Sequence, residues 1–100
     1  MDIKDWQKKA DEIINKIDNK CGCSHDINNT FIHLIEELGE VARELNKPNI
    51  RNENINREEL GKEIADVLFF IARVANLNNI DIEEAINGKL KELNARHGFK

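Results

Sequence analysis

The chain has 100 residues, suited to one domain, with 19 acidic and 15 basic side chains for a formal charge of −4. An acidic chain without a basic stripe is poorly suited to follow a phosphate backbone, so duplex nucleic acid is excluded as a partner. Met1-Asp2-Ile3-Lys4-Asp5-Trp6 lacks the apolar stretch of a secretory leader, and no run is long enough to cross a bilayer. The expectation is a cytoplasmic protein with no membrane partner.

In chain order, the first amphipathic helix is read from about Ile3 to Asn19, with Trp6, Ala10, Ile13, Ile14 and Ile17 at three-and-four spacing and Gly22 as its stop. Cys21 and Cys23 are separated by one glycine, a spacing that rarely closes on itself, so reduced thiols are expected. With His25 they form Cys-x-Cys-x-His, part of a zinc site should a second subunit complete the set. The second helix carries Phe31, Leu34, Ile35, Leu38, Val41 and Leu45, begins at Asn28 or Asn29 as cap and stops at Lys47-Pro48. Asn49 to Asn56 reads as a mobile loop.

Asn56 then caps a third helix, with Glu59 placed for a capping box. From Ile64 to Ala75 that helix is apolar on almost every side, more than a chain of this size covers alone, so at least a dimer is expected. Asn78-Asn79 breaks it, and Asp81 opens a fourth helix that runs to Gly98. No segment alternates with strand period. The fold class is all-α, most simply an oligomeric four-helix bundle.

The chemistry lies in two acidic signatures, Glu36-Glu37-Leu38-Gly39-Glu40 and Glu63-Ile64-Ala65-Asp66. At ~100° per residue, Glu37 and Glu40 share one side of a helix, as do Glu63 and Asp66. Facing each other across a helix pair, they would bring four carboxylates into one volume. At ~4 Å and an effective dielectric of about 20, each like-charge pair costs roughly 4 kcal/mol, so the cluster must be protonated or hold a cation. An all-oxygen set selects a hard ion, Mg²⁺ or Mn²⁺. Glu63 and Asp66 lack a cation four residues on, and Gly39 inside a helix asks for a close approach. The competing reading is a solvated face paired to Arg43, Lys47 or Lys62. His33, one turn before Glu37, is placed to contact nucleotide or metal, or to serve as a structural histidine.

Glu-Glu-Leu-Gly-Glu, 22 intervening residues, then Glu-x-x-Asp-Val-Leu-Phe-Phe closely resembles the MazG-like nucleoside triphosphate pyrophosphohydrolases of the all-α NTP pyrophosphatase superfamily, over about Asn29 to Arg96. The resemblance implies Mg²⁺-dependent hydrolysis of a nucleoside triphosphate between its α and β phosphates, in nucleotide house-cleaning. It implies Glu37, Glu40, Glu63 and Asp66 as metal ligands, and Glu36 as the acid that orients the attacking water or touches a second ion. Lys89, Lys91 and Arg96 are the candidates for the phosphates, although Lys89, Asn94 and Arg96 depart from the family's usual spacing. Trp6 stands where relatives hold the base, with a helix anchor as its alternative, and Asn29 matches a position beside the nucleotide, with a helix cap as its alternative. Phe69 and Phe70 are assigned to core or subunit contact. Two rival functions stay open: phosphoribosyl-ATP pyrophosphohydrolase, and a non-enzymatic helical dimerisation module with a structural cation site.

Overall fold

The computed structural model describes all residues, Met1–Lys100, as five helices and no strand: α1 (Ile3–Cys21), α2 (Ile27–Leu45), α3 (Lys47–Ile50), α4 (Arg57–Leu77) and α5 (Ile82–Arg96). The four long helices are those the apolar periodicity predicts. Side-chain caps set their starts: Asp2, Asn56 and Asp81 accept from the backbone N–H groups of Asp5, Glu59 and Glu84 at 2.8, 3.1 and 3.2 Å. Gly22, at φ 70°, ends α1 in the left-handed conformation that costs glycine nothing.

Two boundaries differ from expectation. Asp26, not Asn28 or Asn29, caps α2, its carboxylate accepting from the Asn29 N–H at 2.9 Å, while the Asn29 amide turns back to donate to Ser24 O. A carboxylate at this end also answers the helix dipole, an advantage the asparagines lack. After Leu45 the chain does not pass straight into a loop. Asn46 stays in the right-handed region, and Pro48, whose missing N–H is no loss in a first turn, lets α3 form one further turn.

The reduced-thiol expectation is also overturned. The left-handed turn at Gly22 folds Cys23 back toward Cys21, bringing their Cα atoms to 5.2 Å, and the two are joined as a disulfide. With both sulfurs committed to each other, the expected zinc set is not available.

α4 is the central element, laid chiefly against α2 and also against α1, while α5 rests on α1. Polar ties with long sequence separation fix this arrangement. The Gln7 amide donates to Asn76 Oδ1 at 2.9 Å and Ile80 O at 2.7 Å, and accepts from the Ile82 N–H at 2.9 Å, stitching α1 to the α4–α5 connection. Arg73 of α4 donates to Asp11 at 2.7 Å and Asn15 at 3.0 Å on α1.

One chain does not close a four-helix bundle with a shared interior. Only seven residues are buried, and the apolar ones among them are Ala10, Ile14, Ala72 and Ala75. The radius of gyration is 16.4 Å, against roughly 13 Å for a compact domain of this length. Phe31, Ile35, Leu38 and Leu45 of α2 are about half exposed, as are Ile64 and Leu68 of α4. No helix is long and apolar enough to cross a membrane.

Candidate functional site

The packing of α2 against α4 turns the two acidic signatures toward each other. Glu37, Glu40 and Glu63 are half-buried, whereas Glu36 and Asp66 are exposed. Burial pushes the Glu37 carboxyl above its ordinary range, and the charges of Asp66, Glu40, Glu36 and Glu63 push the same way. Glu63 is likewise raised by burial, then by Glu44, Glu40 and Glu59. Its Oε2 is buried without a hydrogen-bond partner.

The counter-reading of surface ion pairs fits only part of the cluster. Glu40 lies 3.2 Å from Arg43, and Lys62 pairs with Glu58 and Glu59. Glu37, Glu63 and Asp66 face no Lys or Arg within ion-pair distance. An orphaned buried carboxylate oxygen, with Glu44, Glu40 and Glu59 around it and only Lys47 acting the other way, is a donor that a hard divalent cation fits. As the side chains stand, no three acids, histidines or cysteines are drawn together closely enough to hold an ion, so ligation requires rotation of at least some of these carboxylates. Gly39 does not answer to a close approach within the chain: a Cβ there would meet nothing within 4 Å.

Glu44, one turn beyond Glu40, plays a part the sequence reading missed. It is 4% exposed, accepts from Lys47 Nζ at 2.9 Å and from the Asn56 N–H at 3.1 Å, and so ties the end of α2 to the start of α4. The Lys47 hydrogen bond and then the Asn56 N–H hold its carboxyl below the usual range. The four-residue step from Glu40 was the available signal.

His33 lies near the acids, its Nδ1 3.7 Å from Glu36, and its ring stacks on Phe70 with centroids 5.5 Å apart. Phe69 and Phe70 are not simply core or subunit contact: with Ile13, Ile14 and Ile17 of α1, His25 and Asp66 they line a cavity of about 320 Å³ beside the acid cluster. The remaining candidates are not brought to the acids within one chain. Trp6 lines a separate apolar cavity with Ile3, Leu68, Ile71, Ile82 and Ile86. Lys89 and Arg96 pair with Glu92 at 3.3 and 2.6 Å on the exposed side of α5, and Lys91 is exposed beside them. Asn29 serves the α2 start.

An all-α chain whose central helix pair carries facing carboxylates is a helical protein with an acidic centre between two helices. Residues 26–99 match the model of the MazG nucleotide pyrophosphohydrolase domain, and the chain belongs to that family. The crystal structure of YpjD from Bacillus subtilis, a protein provisionally designated a pyrophosphatase, superposes with a TM-score of 0.74 at 31% identity, covering 96% of each chain. The curated sequence of Bacillus subtilis YpjD, described there as uncharacterized, is 41% identical over 68 residues, a match that spans 63% of this chain but only 60% of that protein.

Proposed function

We propose that the protein hydrolyses a nucleoside triphosphate between the α and β phosphates, releasing the monophosphate and pyrophosphate, with Mg²⁺ or Mn²⁺ held by Glu37, Glu40, Glu63 and Asp66. The observation that carries this reading is the packing of α2 on α4, which brings both acid pairs to one helix interface and leaves Glu63 Oε2 buried without a hydrogen-bond partner. Divalent cations there supply charge neutralisation for the phosphates and acidify water. The chain supplies the rest. With rotation of these carboxylates onto the cations, the α2–α4 pair would give the bound phosphates one position and in-line attack a fixed direction. In this reading Glu36, exposed at the edge of the cluster with His33 beside it, orients the attacking water and takes its proton.

Lys89, Lys91 and Arg96 do not reach the acids in their own chain, so in this reading they meet the phosphates from a second copy seated on the exposed apolar face. The physiological role that follows is removal of unwanted nucleotides from the pool. Pyrophosphate release with Mg²⁺, and its loss on adding chelator, tests the reaction. Replacing an outer partner of a metal ligand commonly costs about 10–100-fold, so removing a ligand itself in Glu40→Gln or Asp66→Asn should cost at least about 100-fold. Full activity in either variant would defeat the assignment.

A further inference from the structure

The turn that α3 adds after Leu45 carries a basic stripe past the end of α2. Arg43, Lys47 and Arg51 recur at four-residue spacing, and the Arg51 N–H donates to Lys47 O at 3.0 Å, so the helical path continued through Asn46 stacks the three cations. With Gly39, Ala42 and Asn46 among the other walls they line a cavity of about 190 Å³, and no acidic side chain lines it. On a chain whose formal charge is −4 this concavity is a local exception.

Two of the cations are paired outside the cavity and one is not. Arg43 lies 3.2 Å from Glu40 and Lys47 lies 2.9 Å from Glu44, whereas Arg51 has no acid within ion-pair distance. The Glu44 hydrogen bond holds the Lys47 ammonium above its ordinary value, and the Arg51 charge acts the other way, so Arg51 stands close enough for its repulsion to be felt. Gly39 adds a second observation. Glycine inside a helix is less stable than other residues, yet a Cβ there would meet nothing within 4 Å, so packing within the chain does not require it. Because Gly39 lines the cavity, what its missing side chain leaves is room in that cavity.

At about 190 Å³ the space is below the roughly 300 Å³ at which ordinary small-molecule sites begin, so it suits a small anion better than a whole nucleotide. The forked donors of two arginines match the oxygens of a phosphoryl group, and Lys47 adds a point charge between them.

We propose that the α2–α3 corner binds a phosphoryl anion, either the pyrophosphate end of the nucleotide or the pyrophosphate released from it. The choice of occupant rests on the reaction proposed above, while the pocket itself does not. Its link to the acid centre is Arg43, which lies against the proposed metal ligand Glu40. An anion that draws Arg43 onto itself leaves Glu40 free to turn to a cation, so each of the two ligands should tighten binding of the other.

The test is calorimetric titration of inorganic pyrophosphate into the whole, metal-stripped chain, whose acid centre then holds no cation to attract an anion. One pyrophosphate per chain, bound more weakly as salt is added, is the expected result. Arg51→Gln should weaken it about tenfold, the worth of one hydrogen bond to a charged group. Gly39→Met should weaken it about tenfold by filling the cavity, yet raise the melting temperature because methionine favours a helix over glycine, which separates loss of binding from loss of fold. No binding by the unaltered chain, or binding unchanged in both variants, overturns the assignment. Binding that survives Arg51→Gln but is lost in a Lys89, Lys91 and Arg96 triple alanine variant places the anion on α5 and overturns it too. Steady-state kinetics then separate the occupants. A KM for nucleoside triphosphate raised about tenfold in Arg51→Gln marks the substrate's tail, whereas an unchanged KM with about tenfold weaker inhibition by pyrophosphate marks the product. If neither moves, the pocket has no part in the reaction and the occupant is overturned. Pyrophosphate binding without turnover of any nucleotide removes the reaction proposed above and leaves the anion site standing.

Discussion

Glu37 and Glu44 lie two turns apart on α2, yet the fold treats their charges in opposite ways. Burial and surrounding carboxylates raise Glu37 above its ordinary value of 4.5, so the folded state binds its proton more tightly than the unfolded chain does. Stability from this group is therefore present at low pH and is lost as pH rises from about 4.5 through the raised folded value. Metal-free Glu37→Gln protein should accordingly melt a few degrees higher than the parent at neutral pH and lose that advantage in acid, as read by circular dichroism. Millimolar Mg²⁺ should raise the parent's melting temperature by preferential binding to the folded form, and Asp66→Asn should blunt the rise. Glu44 has the reverse sign. Its lowered carboxyl stabilises above 4.5 and ceases to do so as pH falls through the lowered folded value, so Glu44→Gln should reduce the urea midpoint at neutral pH. Failure of the two glutamines to act in opposite directions in metal-free protein would show that the α2 acids are not electrostatically distinct.

At the scale of elements, local chemistry was legible and long-range chemistry was not. Three-and-four periodicity marks α1, α2, α4 and α5, and Asn56, Asp81 and Gly22 mark ends because each signal lies within one turn of its effect. The acid pairs were legible for the same reason: both spacings are helical, and only their mutual facing required the tertiary fold. Gln7 and Asn76, or Arg73 and His25, are joined across 69 and 48 residues of chain, and nothing near either partner announces the other. The connection from Gly22 to Asp26 shows the cost. Read locally, Cys21, Cys23 and His25 suggested a metal set, whereas Asp18 and Arg73 claim the histidine from two helices. The cap of α2 is the local choice most open to measurement. Asp26→Ala should remove the Asn29 N–H partner and cost about 1 kcal/mol in urea unfolding. Substituting Asn28, one of the two caps expected from sequence, should change little, and the opposite ranking would return the cap to the asparagines.

For the whole molecule, the balance of exposed and buried apolar surface decides the state in solution. Burial stabilises by roughly 25 cal/mol per Å² of apolar area, and a chain that leaves Phe31, Ile35, Leu38, Ile64 and Leu68 half open while burying four small or medium apolar residues forgoes much of that gain. The α2–α4 pair already offers two helices with unpartnered apolar stripes, so a second copy could complete a four-helix arrangement around both acid clusters. The same docking would bring side chains of a second α5 within reach of phosphates that their own chain holds too far away. Light scattering should therefore give a mass at a multiple of 11.5 kDa. Leu38→Glu, which puts a charge on the open face without touching a proposed ligand, should shift the protein toward the single-chain mass and lower pyrophosphate release together. Mixing Glu40→Gln protein with a Lys89, Lys91 and Arg96 triple alanine variant, each inactive alone, should restore activity in hybrids that pair one intact acid cluster with one intact α5. A single-chain species with full activity would mean instead that the basic side chains play no part in holding phosphate, and that the open apolar face serves some purpose other than completing the site.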